Sequence, residues 1–263
     1  MEKEFNMGEK NRKIITGSMI RYELRNVTGN PFVHIFGIGM PVLMAVLITR
    51  VYVAEISDDF IVKMSSTTIF LGIGALIPMA TILIGYAVVL AQDLEKGIPQ
   101  RLQLFGIKSS VTIVNRAVSE LIFMMLAYFI YFLVGIFALD LEPPTVSGFL
   151  LYVICILVFS ITCFMMAHGI ASLTKKFGLT YCVVMLIYFV FMIFGGSMGI
   201  SYENMSAWMQ AVAKLLPVTY FNRDFFDIWT GERYDFVPMI QSYLFFGAVG
   251  GILLFIAQKR NSR

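Results

Sequence analysis

Gln92-Asp93-Leu94-Glu95-Lys96-Gly97-Ile98-Pro99-Gln100-Arg101-Leu102-Gln103-Leu104-Phe105-Gly106-Ile107-Lys108 is a polar island between two long apolar runs. Acidic and basic residues mix through it, and it ends where the next apolar run begins. A plain connecting loop would be rich in Gly, Ser and Asn. Here Gly97 and Pro99 make a break, and Arg101, Leu102, Leu104 and Phe105 then form a short amphipathic piece. Such a piece lies along a membrane surface with its apolar side down and Arg101 up. The runs on either side are about 20 residues long, enough to span a bilayer core as a helix.

Composition agrees with that reading. The 263 residues are 58% hydrophobic and only 14% charged, where a soluble domain is roughly 25% charged. Mean hydropathy is +0.79. The chain is therefore expected to be an all-α, polytopic membrane protein. A β-barrel would show short alternating segments instead. Cys155, Cys163 and Cys182 fall inside apolar runs, read as small core residues, and carry neither a disulfide nor a metal-binding spacing. No cleavable signal peptide is expected, because the first apolar run starts near residue 31 without a short apolar core and small-residue cleavage site.

Along the chain, Met1–Lys13 is charged and reads as a frayed leader. Ile14–Thr28 sets Ile20, Leu24 and Val27 at helical spacing, with Arg21, Glu23 and Arg25 between them. That predicts an amphipathic helix in the membrane interface, so residues 1–30 form a tail plus an interfacial helix. Gly29-Asn30-Pro31 breaks it and opens the transmembrane domain, residues 31–263. Six spans are expected at about 31–53, 67–91, 113–139, 149–173, 178–200 and 238–257. Pro41 should kink the first, and Pro78 lies inside the second. Arg50 snorkels at the outer end of the first span. Ala54–Ser66 reads as a polar loop. Arg116 and Glu120, four apart at the inner end of the third span, are expected to pair with each other. His34 and His168 read as structural. Gly195/Gly199 and Gly247/Gly251 are small-residue pairs suited to close helix packing.

Residues 201–237 are too apolar for a solvated loop and too interrupted to span. Trp208, Leu216, Tyr220, Phe225 and Trp229 alternate with Lys214, Arg223, Asp224 and Asp227 around Pro217. Two short helices flanking Leu216-Pro217 are expected, dipping into the outer half of the bilayer and out again.

Basic residues set the expected topology. With six spans, fifteen of the twenty Lys and Arg fall on the side holding both termini and residues 92–108. That bias puts both termini in the cytoplasm of a multi-pass plasma-membrane protein.

Glu95-Lys96-Gly97-x-x-x-Arg101-Leu102 resembles the cytoplasmic coupling-helix signature of type 2 ATP-binding cassette (ABC) exporter permeases. Pro99 inside the motif, and Gly106 where many members have Pro, depart from the usual form. The six spans, the N-terminal interfacial helix and a Leu216-Pro217 re-entrant pair with Tyr220 carry the resemblance over the whole chain. It implies a coupling helix at about 92–108 that docks into a separate cytoplasmic ATPase, present in two copies. Glu95, Lys96, Gly97, Arg101, Leu102 and Phe105 would make that contact. It also implies a second permease subunit, identical or related, and export of a hydrophobic or amphipathic drug, peptide or lipid-like substrate. ATP and magnesium would bind the partner and no cofactor would bind this chain.

The residues themselves fit a chain without its own power source. No Gly-x-x-x-x-Gly-Lys-Ser/Thr loop occurs, nor His-Glu-x-x-His, nor Gly-x-Ser-x-Gly, so no catalytic residue is assigned and the chain is not read as an enzyme. The centres of the expected spans hold no Asp, Glu, Lys or Arg, which disfavours an ion-coupled carrier. An intramembrane lipid enzyme would need a His/Asp/Glu cluster. An immunity or regulatory protein that sequesters a peptide without transport is the remaining alternative. Nucleic acid is not an expected partner.

Overall fold

The computed structural model of the chain describes residues 15–198 and 200–261. The charged leader Met1–Lys13, Gly199 of the first small-residue pair and Arg263 lie outside the described residues. Among the described residues there is no strand, and six helices are long and apolar enough to cross a membrane. The all-α multi-pass architecture expected from composition is the one found. A short helix α1 (Gly17–Thr28) comes first, then the spans α2 (Ile35–Val53) and α3 (Asp59–Glu95). A short helix α4 (Ile98–Leu104) links α3 to the span α5 (Ser109–Ala138). The spans α6 (Val146–Thr174) and α7 (Phe177–Phe194) follow. Three short helices, α8 (Ala207–Ala213), α9 (Pro217–Arg223) and α10 (Phe225–Thr230), precede the last span, α11 (Val237–Asn261).

The helix α3 is the axis of the bundle. Its most apolar stretch is 94% buried, whereas the other five spans bury 39% or less of theirs. It also begins well before the expected residue 67. Asp58 Oδ1 accepts a hydrogen bond from the Ile61 N–H (3.1 Å), and Lys63 pairs with Asp59 at 3.2 Å. An N-cap and an i,i+4 pair make a helix of residues that composition alone marks as loop.

Pro78 breaks the hydrogen-bond ladder of α3, because it has no N–H to give to Gly74 O. The chain answers with a π-helical turn at Met79–Tyr86 and with hydroxyls from neighbouring helices. Tyr128 Oη donates to Gly74 O at 2.8 Å, the carbonyl that Pro78 leaves free. Ala75 N–H turns aside to Gly72 O, which frees Leu71 O, and Tyr152 Oη donates there at 3.2 Å. Tyr131 Oη donates to Phe70 O at 2.7 Å. Buried carbonyls in hydrocarbon need such partners. Tyr128→Phe is expected to cost about 1 kcal/mol, seen as a lower thermal midpoint in detergent. Tyr52→Phe, at an exposed ring, should leave the midpoint unchanged. In α2 the π-helical turn, Ile35–Gly39, comes before the proline, Pro41.

At the end of the bundle away from α4, the short helices are packed among the spans. Leu216 is extended and Pro217 takes the first position of α9, so α8 and α9 flank Leu216-Pro217, and α10 adds a third helix. Thr219 and Tyr220 hydroxyls donate to the carbonyls that end α8, Ala213 O and Lys214 O, at 2.7 and 2.9 Å. Trp229 Nε1 donates to Glu142 O at 2.8 Å, and Thr145 N–H donates to Trp229 O at 2.9 Å. Gly148 faces this backbone so closely that an added Cβ would lie 2.5 Å from Trp229 O. Gly247 and Gly251 turn toward α6 of the same chain, against Thr162 and Met165 at ordinary contact distance.

Candidate functional site

The end of the bundle that carries residues 92–108 holds the most polar constellation. Glu95 closes α3 and Lys96 caps it. Gly97 then adopts φ +67°, a left-handed conformation that turns the chain sharply into α4. Ile98 and Pro99 occupy the first turn of α4, where a missing N–H costs nothing. At the other end Gly106, φ +76°, donates to Gln103 O at 2.8 Å, and Ile107 N–H donates to Leu102 O at 3.0 Å. That pair of bonds is a Schellman stop, which accounts for a Gly where a Pro would otherwise end the helix. Gln103 Nε2 donates to Ser109 Oγ at 2.6 Å and braces α4 against α5.

The predicted contact residues divide. Arg101, Lys96 and Phe105 are exposed, with Phe105 at 79%. Leu102 is half-buried against its own chain. Leu104, absent from the sequence-based set, is 87% exposed and makes the outward apolar surface together with Phe105. Its neighbour-by-neighbour pattern gave no means of telling which of the two leucines faces out. Glu95 has a second occupation. Its Oε2 accepts the Phe177 N–H at 2.9 Å and so caps the start of α7.

Behind α4 lies a buried ion cluster. Arg116 on α5 donates through Nε to Glu23 Oε2 on α1 at 2.8 Å and through Nη2 to Asp93 Oδ2 on α3 at 2.5 Å. The expected Arg116–Glu120 pair is not formed. The guanidinium fork instead finds two carboxylates brought in from distant parts of the chain, a match Arg makes better than any other side chain. Glu23, which sequence spacing places among the polar residues of α1, is buried for this reason. Further bonds hold α1 on α5. Thr16 N–H donates to Asn115 Oδ1 at 3.1 Å, and Ser119 Oγ donates to Ile20 O at 3.2 Å. Glu120 is buried, and its Oε2 has no hydrogen-bond partner.

Both histidines are engaged in structural bonds. His34 Nε2 bonds Thr28 O at 2.7 Å, and His168 Nδ1 bonds Tyr86 Oη at 2.6 Å. A cavity of about 640 Å³ opens beside the ion cluster, between α1, α3 and α7. Val33, Ile84 and Val88 form its apolar wall, and Tyr22, Asn26, Gln92 and Asp93 its polar rim. A second cavity, of about 330 Å³, lies at the opposite end between α2, α3 and the segment that follows α7, where it meets Asn222, Arg223 and Asp227. The Arg223 guanidinium pairs with Asp224 and stacks over Tyr202 and Tyr220, 4.7 and 5.2 Å from the ring centres. Burial, with Glu232 and Asp224 nearby, holds the Asp227 carboxyl above its ordinary range.

Among the described residues, five apolar spans around a sixth, buried and broken one, with a polar turn projecting from one end, define a multi-pass membrane protein. A sequence model of the family described as ABC-2 type transporter matches residues 16–228, and the chain belongs to that family. It is a permease subunit of an ABC transporter, a class that works with an ATP-binding subunit. No curated protein matches the chain.

Proposed function

We propose that this chain exports a hydrophobic or amphipathic substrate across the plasma membrane, driven by a separate ATPase that grips α4. The reading rests most on one observation: α4 is a short, doubly terminated helix that presents Arg101, Leu104 and Phe105 outward and continues directly into the buried axis α3. Two copies of the ATP-binding subunit, holding ATP and magnesium, would serve a pair of permease subunits, identical or related. The Lys and Arg bias puts α4 and both termini on the cytoplasmic side, where ATP is. Gly97 fixes the turn, Lys96 and Arg101 offer cations to the partner, and Leu104 and Phe105 fill an apolar notch in it. Leu102 supports them from within, and Glu95 holds α7 to the base of the lever. Closure of the ATPase dimer pushes α4, and α3 carries the displacement past both cavities. The 640 Å³ cavity, with an apolar wall and a rim of phenol, amide and carboxylate groups, suits an amphipathic substrate arriving from the inner leaflet. Leu216, Pro217 and Tyr220 shape the re-entrant segment that would close the outer side.

Co-purification from membranes tests the first step: a cytoplasmic ATP-binding subunit should accompany the chain. Arg101→Glu should leave membrane insertion intact and remove substrate-stimulated ATP hydrolysis from the reconstituted complex. Full stimulation in that variant would count against the docking role.

A further inference from the structure

The Arg116 cluster contains one cation and three carboxyl groups, and the third of these is left over. Glu120 is 2% exposed, and its Oε2 meets no donor. The nearby hydroxyl of Tyr86 is already bonded to His168. Yet Glu120 stands one helical turn from Arg116 on α5, where side chains four apart are neighbours. A buried carboxyl oxygen without a partner is costly, and such a group in a packed interior calls for a reason.

The bonds of Arg116 are not equivalent. Glu23 belongs to α1, which is tied to α5 by Thr16–Asn115 and Ser119–Ile20, so Glu23 and Arg116 sit on one body. Asp93 belongs to the last turn of α3, immediately before the turn into α4. The Asp93–Arg116 bond is thus the one that spans from the α1–α5 body to the element bearing the lever.

We propose that Glu120 is the second acceptor for Arg116: when α4 is displaced, the guanidinium leaves Asp93, keeps Glu23 and closes onto Glu120. This inference rests on the reading of α4 as the docking helix. Asp93 and Glu120 then act as positioning residues, each favouring one conformation of the subunit. A ligand shifts such an equilibrium only through a difference between the two states, and the exchange of acceptors supplies one. A carboxylate that is idle in one state is the expected mark of a group needed in the other.

The test uses the full complex with its ATP-binding subunit in lipid nanodiscs, melted without nucleotide and with ADP trapped by vanadate after hydrolysis of ATP. Glu120→Gln should leave the nucleotide-free midpoint unchanged or higher, and shrink the rise on trapping by about 2–4 °C. Asp93→Asn should do the reverse, lowering the nucleotide-free midpoint and enlarging the rise. ATP hydrolysis by the Glu120→Gln complex should fall about tenfold, with partial recovery in Glu120→Asp. Equal shifts of both states in both variants, or a native nucleotide response in Glu120→Gln, would overturn the proposal. If a variant fails to assemble, a cryo-electron microscopy structure of the native trapped complex decides: Arg116 on Glu120 supports the exchange, and Arg116 still on Asp93 overturns it. Failure of the native chain to bind any ATP-binding subunit would overturn the docking reading and this inference together, whereas a native complex in which Arg116 keeps Asp93 overturns the exchange alone.

Discussion

Arg116→Ala is expected to destabilise the chain by about 3–5 kcal/mol, the largest effect of any single substitution outside the apolar core. The magnitude follows from what remains after the truncation. Glu23 and Asp93 would keep their buried positions, at 1% and 17% side-chain exposure, without the guanidinium that satisfies both. Glu120 Oε2 already lacks a partner, and the residue would lose its neighbouring positive charge. The partial exposure of Asp93 places the result toward the lower end of that range, because water can reach this carboxylate. Arg116→Lys should recover only part of the loss, since an ammonium cannot present a planar fork to two carboxylates at once. Thermal unfolding of the purified chain in mild detergent, with monodispersity as a second readout, measures both. A midpoint for Arg116→Ala within experimental error of the native chain would show that the cluster contributes no net stability.

Leu104→Ser combined with Phe105→Ser is expected to weaken association with the ATP-binding subunit by about a hundredfold. Each side chain is more than three-quarters exposed, at 87% and 79%, so the isolated chain loses little when they are trimmed. Buried in a partner's notch, each becomes an anchor worth about 1–2 kcal/mol, and together they account for two decades of affinity. Titration of labelled ATP-binding subunit onto nanodisc-embedded permease reads the dissociation constant. Unchanged binding would remove both residues from the interface. A single substitution for comparison, Leu102→Ser, should behave differently: Leu102 is half-buried, so its loss registers in the stability of α4 as well as in binding.

Much of the architecture was legible in the apolar runs, because a membrane span must satisfy its own backbone and fill a fixed length. Pro31 also announced a helix start, since the proline ring presets the first turn. The ion cluster was not legible. Spacing along one helix pointed to Arg116 and Glu120, four apart, whereas the actual partners lie 93 and 23 positions away. Only the packing of α1 and α3 against α5 brings them together. The same limit applies to Glu95, whose bond to the Phe177 N–H joins residues 82 positions apart. Residues 59–66 misled for a local reason: their polarity reads as loop, and the Asp58 cap with the Lys63–Asp59 pair makes them helix. Asp224, which receives both Arg223 and the Tyr234 hydroxyl, likewise finds its role only in the folded segment.

The three tyrosine hydroxyls that splint α3 at its proline have a geometric corollary. With its weak point braced from outside, a helix of 37 residues behaves as a beam about 55 Å long. A seesaw of about 10° around the splint would swing its two tips roughly 5 Å in opposite senses, given that rise per residue. One tip carries α4 and the other borders the far cavity, so a push at the first narrows or widens the second without any further moving part.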